Sequence, residues 1–346
     1  MRKVSVIILN WNGKRFLKTC LGSLQRVTYK SLEVVLVDNN SSDGSVAFVT
    51  KYFPWVKLVR SHENNGFAKG NNIGVRASTG EYLLFLNNDT KVEPDFLDIL
   101  IEDYKKDPTL GCIQPQMRGL TDSNLLDEAG AYLTPNGFLY HYGYRKSYKA
   151  AQYRKPRIIY SAKGACMFIP RKLFELVGRF DEDFFIFFEE TDLCHRIWLS
   201  GHRVLYEPRS SIFHLAGGDT ADKYNYARRI YLTIKNMNMS FIQNFGMQYL
   251  CSVYVFFVIT QVILFCYFLL TLRVYLVREM IRAWSWNITH IKEIIRKRSI
   301  IQHRREVPDR ELNRDIYYNP GLYYYYCLLF NAKQFQDKPM RHYGTR

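Results

Sequence analysis

Three carboxylates stand close together in Phe187-Phe188-Glu189-Glu190-Thr191-Asp192-Leu193-Cys194. Like charge and exclusion of water both disfavour the ionised form, so at least one acid should hold its proton unusually tightly. A carboxylate poised that way suits a general base near neutral pH. On a helix Glu189 and Asp192 share a face and Glu190 points elsewhere, so the acids can divide the work. The bland alternative is a solvated acidic helix start favoured by the helix dipole; the Phe-rich approach argues against it. Asn87-Asn88-Asp89 offers another acid. Mg²⁺ and Mn²⁺ take few protein ligands, so a strand-end carboxylate can hold an ion that in turn holds a diphosphate. His214 lies twenty-two residues beyond Asp192 and can join Asp89 if Asp89 is a metal ligand. Asp38 ends a β-rich run, where an acid often meets the ribose or base of a nucleotide. A nicotinamide enzyme would need G-x-G-x-x-G after the first strand. Asn10-Trp11-Asn12-Gly13-Lys14 has a single Gly, which removes most of the weight from that reading.

The first ninety residues read as the scaffold for these groups. Val4–Leu9, Leu32–Val37, Val56–Arg60 and Tyr82–Leu86 predict four strands. The first two are apolar without alternation, as strands buried on both faces are. Lys14–Leu24, Gly44–Tyr52 and Gly66–Ser78 predict helices between them. Alternation of this kind implies a mostly parallel sheet with helices on both faces, and such sheets bind ligands at the carboxyl ends of their strands. Asp38 and Asp89 both fall there. From Glu93 to about Leu215 the pattern is mixed, with a strand predicted over Ser210–Phe213. Ala129–Phe174 holds no acid but nine basic residues and seven Tyr, and its Tyr140–Arg157 part is expected to meet a lipid phosphate or anionic headgroups.

The chain has 346 residues, 47% of them hydrophobic, with a mean hydropathy of −0.23. That supports a sizeable core and excludes both a disordered chain and a polytopic membrane protein. A net charge of +16 favours anionic partners. No helix-turn-helix, zinc-finger or RNP context accompanies the charge, so nucleic acid is not an expected partner. Seven scattered Cys without a C-x-x-C pair point to a reducing compartment and away from disulfides or structural zinc. The apolar run after Met1-Arg2-Lys3 is only six residues long, so it reads as a strand and not a signal peptide.

Three further stretches complete the motif set. They are Val37-Asp38-Asn39-Asn40-Ser41-Ser42-Asp43-Gly44-Ser45, Asn65-Gly66-Phe67-Ala68-Lys69-Gly70-Asn71-Asn72 and Gly164-Ala165-Cys166-Met167-Phe168-Ile169. With Val4–Gly13, Leu86–Thr90, Val177–Glu182, Glu189–Asp192 and Ile212–His214 they resemble the family-2 glycosyltransferases, and most closely the rhamnosyltransferase-like branch. The resemblance covers roughly residues 1–240. It implies a GT-A fold: an α/β catalytic domain over 1–240, with a nucleotide-sugar half (1–90) and an acceptor half (91–240). Residues 241–346 would be a helical, membrane-associated region.

The resemblance also implies inverting transfer from a UDP- or dTDP-sugar to a lipid-linked or cell-surface glycan precursor. Asn10, Asn12, Asp38, Asn65, Gly66, Lys69, Asn72, Asn88 and Asp89 would face the donor, and Gly164 and Ala165 the acceptor. Asp89 and His214 would hold Mn²⁺ or Mg²⁺. Two departures stand out. Asn87 and Asn88 leave Asp89 as the one acid of the D-x-D motif. The usual Glu-Asp pair is Glu189-Glu190, which makes Glu190 the base, with Glu189 and Asp192 as alternatives. The processive relatives' Q-x-x-R-W motif is incomplete at Arg282-Ala283-Trp284 and at Gln302-His303-Arg304-Arg305, so single-sugar addition is expected. The competing class is a catalytically silent membrane-associated partner of another transferase.

Cys251–Leu272 carries no charge over 22 residues, enough to span a bilayer. Its basic flank lies on the C-terminal side, whereas a catalytic domain fed by nucleotide sugars needs the N-terminal side in the cytoplasm. A segment that enters and returns, or lies in the interface, removes the conflict. Ile281–Ile295 reads as an interfacial amphipathic helix. The expectation is a peripheral or monotopic protein on the cytoplasmic face, binding through 249–300, with a helix buried in a homodimer as the alternative.

Overall fold

In β1 (Val4–Asn10) alternate side chains enter two different cores: Val4, Val6 and Ile8 on one side, Ile7 on the other. That double burial is why the run is apolar throughout. In this computed structural model, which describes residues 2–215, 224–321, 323, 324, 337 and 343, β2 (Leu32–Asp38) and β4 (Tyr82–Asn87) flank β1 in parallel, and β3 (Lys57–Arg60) adds to β2. Three helices make the crossovers: α1 (Lys14–Leu24), α2 (Ser45–Tyr52) and α3 (Gly66–Arg76). α1 buries Leu17, Cys20, Leu21 and Leu24, a stripe at helical spacing. The register pairs Asn10 with Asp38 and Leu9 with Asn87, which brings the polar strand ends to one edge.

The second half extends the same sheet. Its strands are β5 (Thr90–Val92), β6 (Leu110–Gly119), β7 (Leu126–Glu128), β10 (Arg157–Ile159), β11 (Cys166–Pro170) and β12 (Arg203–His214). β8 (Ala131–Leu133) and β9 (Leu139–His141) form a separate hairpin. The sheet order is β10-β12-β6-β11-β4-β1-β2-β3, with β5 on β12 and β7 on β6; β11 runs antiparallel to β4. α4 (Phe96–Lys106), α5 (Arg171–Leu176) and α6 (Glu189–Leu199) complete this part. β12 starts well before the expected Ser210. It carries the buried Glu207 and the exposed Arg209, which pairs with Glu207 and with Asp103 of α4, and charges within a strand hide it from an apolar pattern.

Among the described residues five helices follow: α7 (Tyr226–Asn244), α8 (Met247–Leu270), α9 (Val274–Thr289), α10 (Ile291–His303) and α11 (Asp309–Ile316). The single helix expected over Ile281–Ile295 is divided at His290, whose ring stacks on Trp286 at 4.1 Å and whose Nδ1 meets the Trp286 carbonyl. α8 is long and apolar enough to cross a membrane, and most of it is exposed. It lies along α7: Asn238 and Gln261 bond to each other, and Trp284 of α9 donates to Gln261 at 2.8 Å. Position 240 marks no break in packing, since Phe241, Phe257, Ile294 and Ile316 share one core with Ile7 and Phe85. Tyr325, Tyr326 and Cys327 lie outside the described residues.

Candidate active site

The turn after β4 carries Asn88 and Asp89. β12 runs antiparallel to β5 and pairs His214 with Thr90, so the Leu215 amide donates to the Asp89 carbonyl at 3.1 Å. His214 Nε2 thereby lies 3.3 Å from Asp89 Oδ1, a buried oxygen with no well-aligned hydrogen bond. The other ring nitrogen, Nδ1, meets Asp127 Oδ2 at 2.7 Å. Lys163 Nζ donates to the second Asp127 oxygen at 2.9 Å. Burial opposes charge on His214, but Asp127 and Asp89 outweigh it and push the imidazole up to about 9. Burial likewise opposes ionised Asp127, and His214 and Lys163 still hold it down at about 2.

The residues fit a divalent ion of the Mn²⁺ or Mg²⁺ kind. An imidazole oriented by a carboxylate beside an unsatisfied carboxylate oxygen is a usual donor arrangement. Among the described residues no cluster of three ligating side chains exists, so further donors would have to come from substrate oxygens. Asp127 went unnoticed in the sequence. Its one signal was the Asp127-Glu128 pair just ahead of the acid-free tract; only the β6–β7 hairpin brings it to His214.

α6 starts at Glu189, and its approach is strained. Phe185, Phe187 and Phe188 have φ of 65°, 73° and 74°, a region costly for side chains with a Cβ. Asn236 of α7 holds the turn, its Nδ2 donating to the carbonyls of Phe184 (3.0 Å), Ile186 (2.9 Å) and Phe187 (2.6 Å). From the other side the Phe67 amide, at the start of α3, donates to the Phe185 carbonyl at 2.5 Å. Gly66 is required there: its φ is +69° and any Cβ would strike Phe185.

Glu189 is buried, its Oε2 has no partner, and burial beside Glu190 lifts it well above the usual carboxylate range. Glu190 is half-buried. Burial and Glu128 raise it, while its own amide at the helix start, Lys163 and His141 lower it, leaving it at about 6. Burial thus makes Glu189 hold its proton more tightly than Glu190 does. Asp192 departs from the expectation. It is fully buried, with Arg196 at 2.7 and 2.9 Å on one oxygen and Ser240 and Asn244 at 2.8 and 2.6 Å on the other. Those bonds join α6 to α7 and leave it unable to receive a proton from a substrate.

Glu189, Glu190, Asn88, Asp89, His214, Gly66, Gly164 and Ala165 line one cleft of about 340 Å³, together with Trp11, Asn64, Lys163 and Tyr224. The other expected donor-side residues stand apart. Asn10 bonds to Asp38, Ser41 and Asn88 from beneath, and Asp38 also accepts the Ser41 amide. Asn12 accepts the Ser42 amide, and Asn65 bonds to Ser61 and the Glu63 carbonyl. These four hold the loops of the cleft. Lys69 and Asn72 require correction, because only the first turn of α3 faces the cleft. Lys69 is half-buried and pairs with Glu63; Asn72 is buried and bonds to the Phe180 backbone and Glu182. In the basic tract Arg157 also departs from expectation: it is buried under the Tyr142 ring and bonds to the Gln152 carbonyl, out of reach of any lipid.

An α/β sheet with acids and a histidine at its carboxyl edge is an arrangement suited to group transfer, and comparison with known proteins gives it a family. Residues 5–178, half of the chain, match the model for glycosyl transferase family 2. The chain therefore belongs to glycosyl transferase family 2. It is 30% identical over 222 residues to O-antigen biosynthesis protein RfbC of Myxococcus xanthus, covering 61% of this chain and 17% of that protein. It is 26% identical over 232 residues to the N-acetylglucosaminyl-diphospho-decaprenol L-rhamnosyltransferase of Mycobacterium tuberculosis, covering 60% of this chain and 75% of the relative. Among solved structures, GalNAc-T7 with UDP, GalNAc and Mn²⁺ superposes with a TM-score of 0.57 at 19% identity, over 70% of this chain and 48% of that one. The mannosyltransferase of Pyrobaculum calidifontis with GDP-Man and Mn²⁺ superposes with a TM-score of 0.50 at 21% identity, over 69% and 63%. The fold is GT-A.

Proposed function

We propose that this protein moves a single sugar, with inversion, from a UDP- or dTDP-sugar to a hydroxyl of a lipid-linked or cell-surface glycan precursor at the cytoplasmic face of the membrane. The observation that carries this reading is the convergence of Asp89, His214 and Glu190 on one cleft. Glu190 takes the proton of the acceptor hydroxyl as its oxygen attacks the anomeric carbon opposite the departing diphosphate. One C–O bond forms as the other breaks, so no covalent enzyme intermediate is needed. Burial favours the neutral form of Glu189, which adds no second negative charge beside the base. Asp89 and His214 would hold Mn²⁺ or Mg²⁺, which when bound supplies charge stabilisation at the diphosphate. The bare backbone of Gly164 lies beside Glu190 and Phe67 and leaves room for the acceptor. Asp38, Asn10 and Asn12 stand on the nucleotide side, at the ends of β1 and β2.

The Mycobacterium tuberculosis relative's name supports a polyprenyl diphosphate glycan as acceptor class. UDP in one structural neighbour and GDP-Man in the other leave the choice of base to this chain's own loops. A panel of UDP-, dTDP- and GDP-sugars, each with Mn²⁺, Mg²⁺ or chelator, tests the reading. Metal-dependent thermal stabilisation and slow release of nucleoside diphosphate are expected with one donor class. Neither response with any donor would overturn the reading and favour a silent partner of another transferase.

A further inference from the structure

The C-terminal helices present an apolar face that none of the described residues covers. On α8, Phe256, Ile259, Ile263 and Leu270 are 48–83% exposed, and Leu272 in the turn to α9 is 83% exposed. This face is fixed outward. The opposite side of α8 is pinned to α7 and α9 through the buried Asn238–Gln261–Trp284 bonds. Phe268 in turn packs on Ile234 and Leu276. The chain then turns back through α9, so the segment does not cross a membrane once and continue. It forms a hairpin lying on the body of the protein.

Charge identifies the occupant. Arg228, Arg229, Arg273 and Arg278 are exposed around the same end of the hairpin. None of them has a carboxylate partner among the described residues. An apolar face bordered at one end by arginines that meet no carboxylate among the described residues is complementary to acidic headgroups over acyl chains.

The location matters as much as the chemistry. The hairpin turn packs against Ala227, Ile230 and Tyr231 in the first turns of α7. Two residues before α7 starts, Tyr224 lines the cleft, its ring against Trp11, Phe185 and Phe187. The cleft mouth and the hairpin turn therefore share one end of α7. We propose that the outer face of α8 and the α8–α9 turn dock on an anionic lipid bilayer, and that this docking sets the mouth of the cleft at the bilayer surface. The inference rests on reading that cleft as the transfer site, and it gives a lipid-borne acceptor a short path to Glu190.

Flotation with vesicles of phosphatidylcholine, alone or mixed with phosphatidylglycerol, tests the docking. The full chain should float with the mixed vesicles and lose binding as salt rises. Each arginine of the rim replaced by Gln should lower partitioning about fivefold, and Leu270→Glu with Leu272→Glu should abolish it. Donor hydrolysis without vesicles should stay at the wild-type level in these variants, which shows that they fold. Hydrogen exchange with mixed vesicles should slow over residues 255–278 and 226–231. Variants that float like the wild type, protection confined to another face, or a vesicle-indifferent dimer split by Leu270→Glu would each overturn the proposal. Absent donor hydrolysis with normal flotation would instead refute the reading of the cleft and leave the lipid-docking face standing.

Discussion

Glu189 and Glu190 are neighbours in sequence and differ in how tightly they hold a proton. Burial lifts Glu189 well above the usual carboxylate range, whereas Glu190, also raised by burial, is held at about 6 by the helix start and Lys163. A base must be ionised, so turnover should rise with pH through about 6 and then level off; a pH profile of single-turnover transfer measures this. Glu190→Gln should cut turnover roughly 10²–10⁴-fold with donor affinity little changed. Glu189→Gln keeps the neutral character that burial favours there and should cost far less. Asp192→Asn should act on stability instead. It strips Arg196 of its buried partner, a loss of about 3–5 kcal/mol, visible as a lowered melting temperature before any selective loss of rate. Asp127→Asn removes the carboxylate that orients His214. Titration of UDP with and without Mn²⁺ should show the metal-dependent part of binding weakened about 10–100-fold, and the metal-free part unchanged.

At the scale of elements, α7 does the positioning. Its Asn236 bonds to three carbonyls of the turn that delivers the glutamates, and its Ser240 and Asn244 hold Asp192. The left-handed Phe185, Phe187 and Phe188 persist only because α7 and the start of α3 grip them from two sides. Asn236→Ala should release that turn and shift the carboxylates. A displacement of about 1 Å is worth on the order of 10²-fold in rate, so kcat should fall about that much while donor affinity stays near wild type. Steady-state kinetics separates the two, and equal loss of rate and donor binding would point to general unfolding instead. The parallel strands, by contrast, need no such brace. Their register alone brings Asn10, Asp38 and Asn87 to one edge.

Seen as a whole molecule, the chain does not divide where its composition does. Phe257, Ile294, Leu312 and Ile316 fill the same core as Phe85 and Phe180. Lys297 of α10 bridges Asp181 and Asp183 at 2.6 Å, just ahead of the strained turn. A buried side chain of that size contributes about 1.5–3 kcal/mol, against a typical margin of about 5–15 kcal/mol for the whole fold. A chain cut after Phe245 should therefore aggregate or lack cooperative unfolding, as circular dichroism and sedimentation would report. A soluble, cooperatively folded fragment would show that the first 245 residues are a domain in their own right.

The sequence by itself determined the parallel sheet, because burial on both faces writes unbroken apolar runs and the crossover helices write their own period. It also marked Asp89, His214 and the Glu189–Glu190 pair, since acids at strand and helix ends stand out against apolar neighbours. The tertiary structure decided what pairing alone can decide. Asp127 reaches His214 across 87 residues through a hairpin, and no local pattern announces such a contact. Asp192 looks like a catalytic acid until Arg196, Ser240 and Asn244 close around it, two of them from another helix. Lys69 and Asn72 share the motif of Gly66 but lie further along α3 than its first turn, the part that lines the cleft. The apolar helix was legible as a membrane candidate from composition. That it returns along α7, with its turn beside the cleft, follows from buried polar bonds between helices, which composition cannot encode.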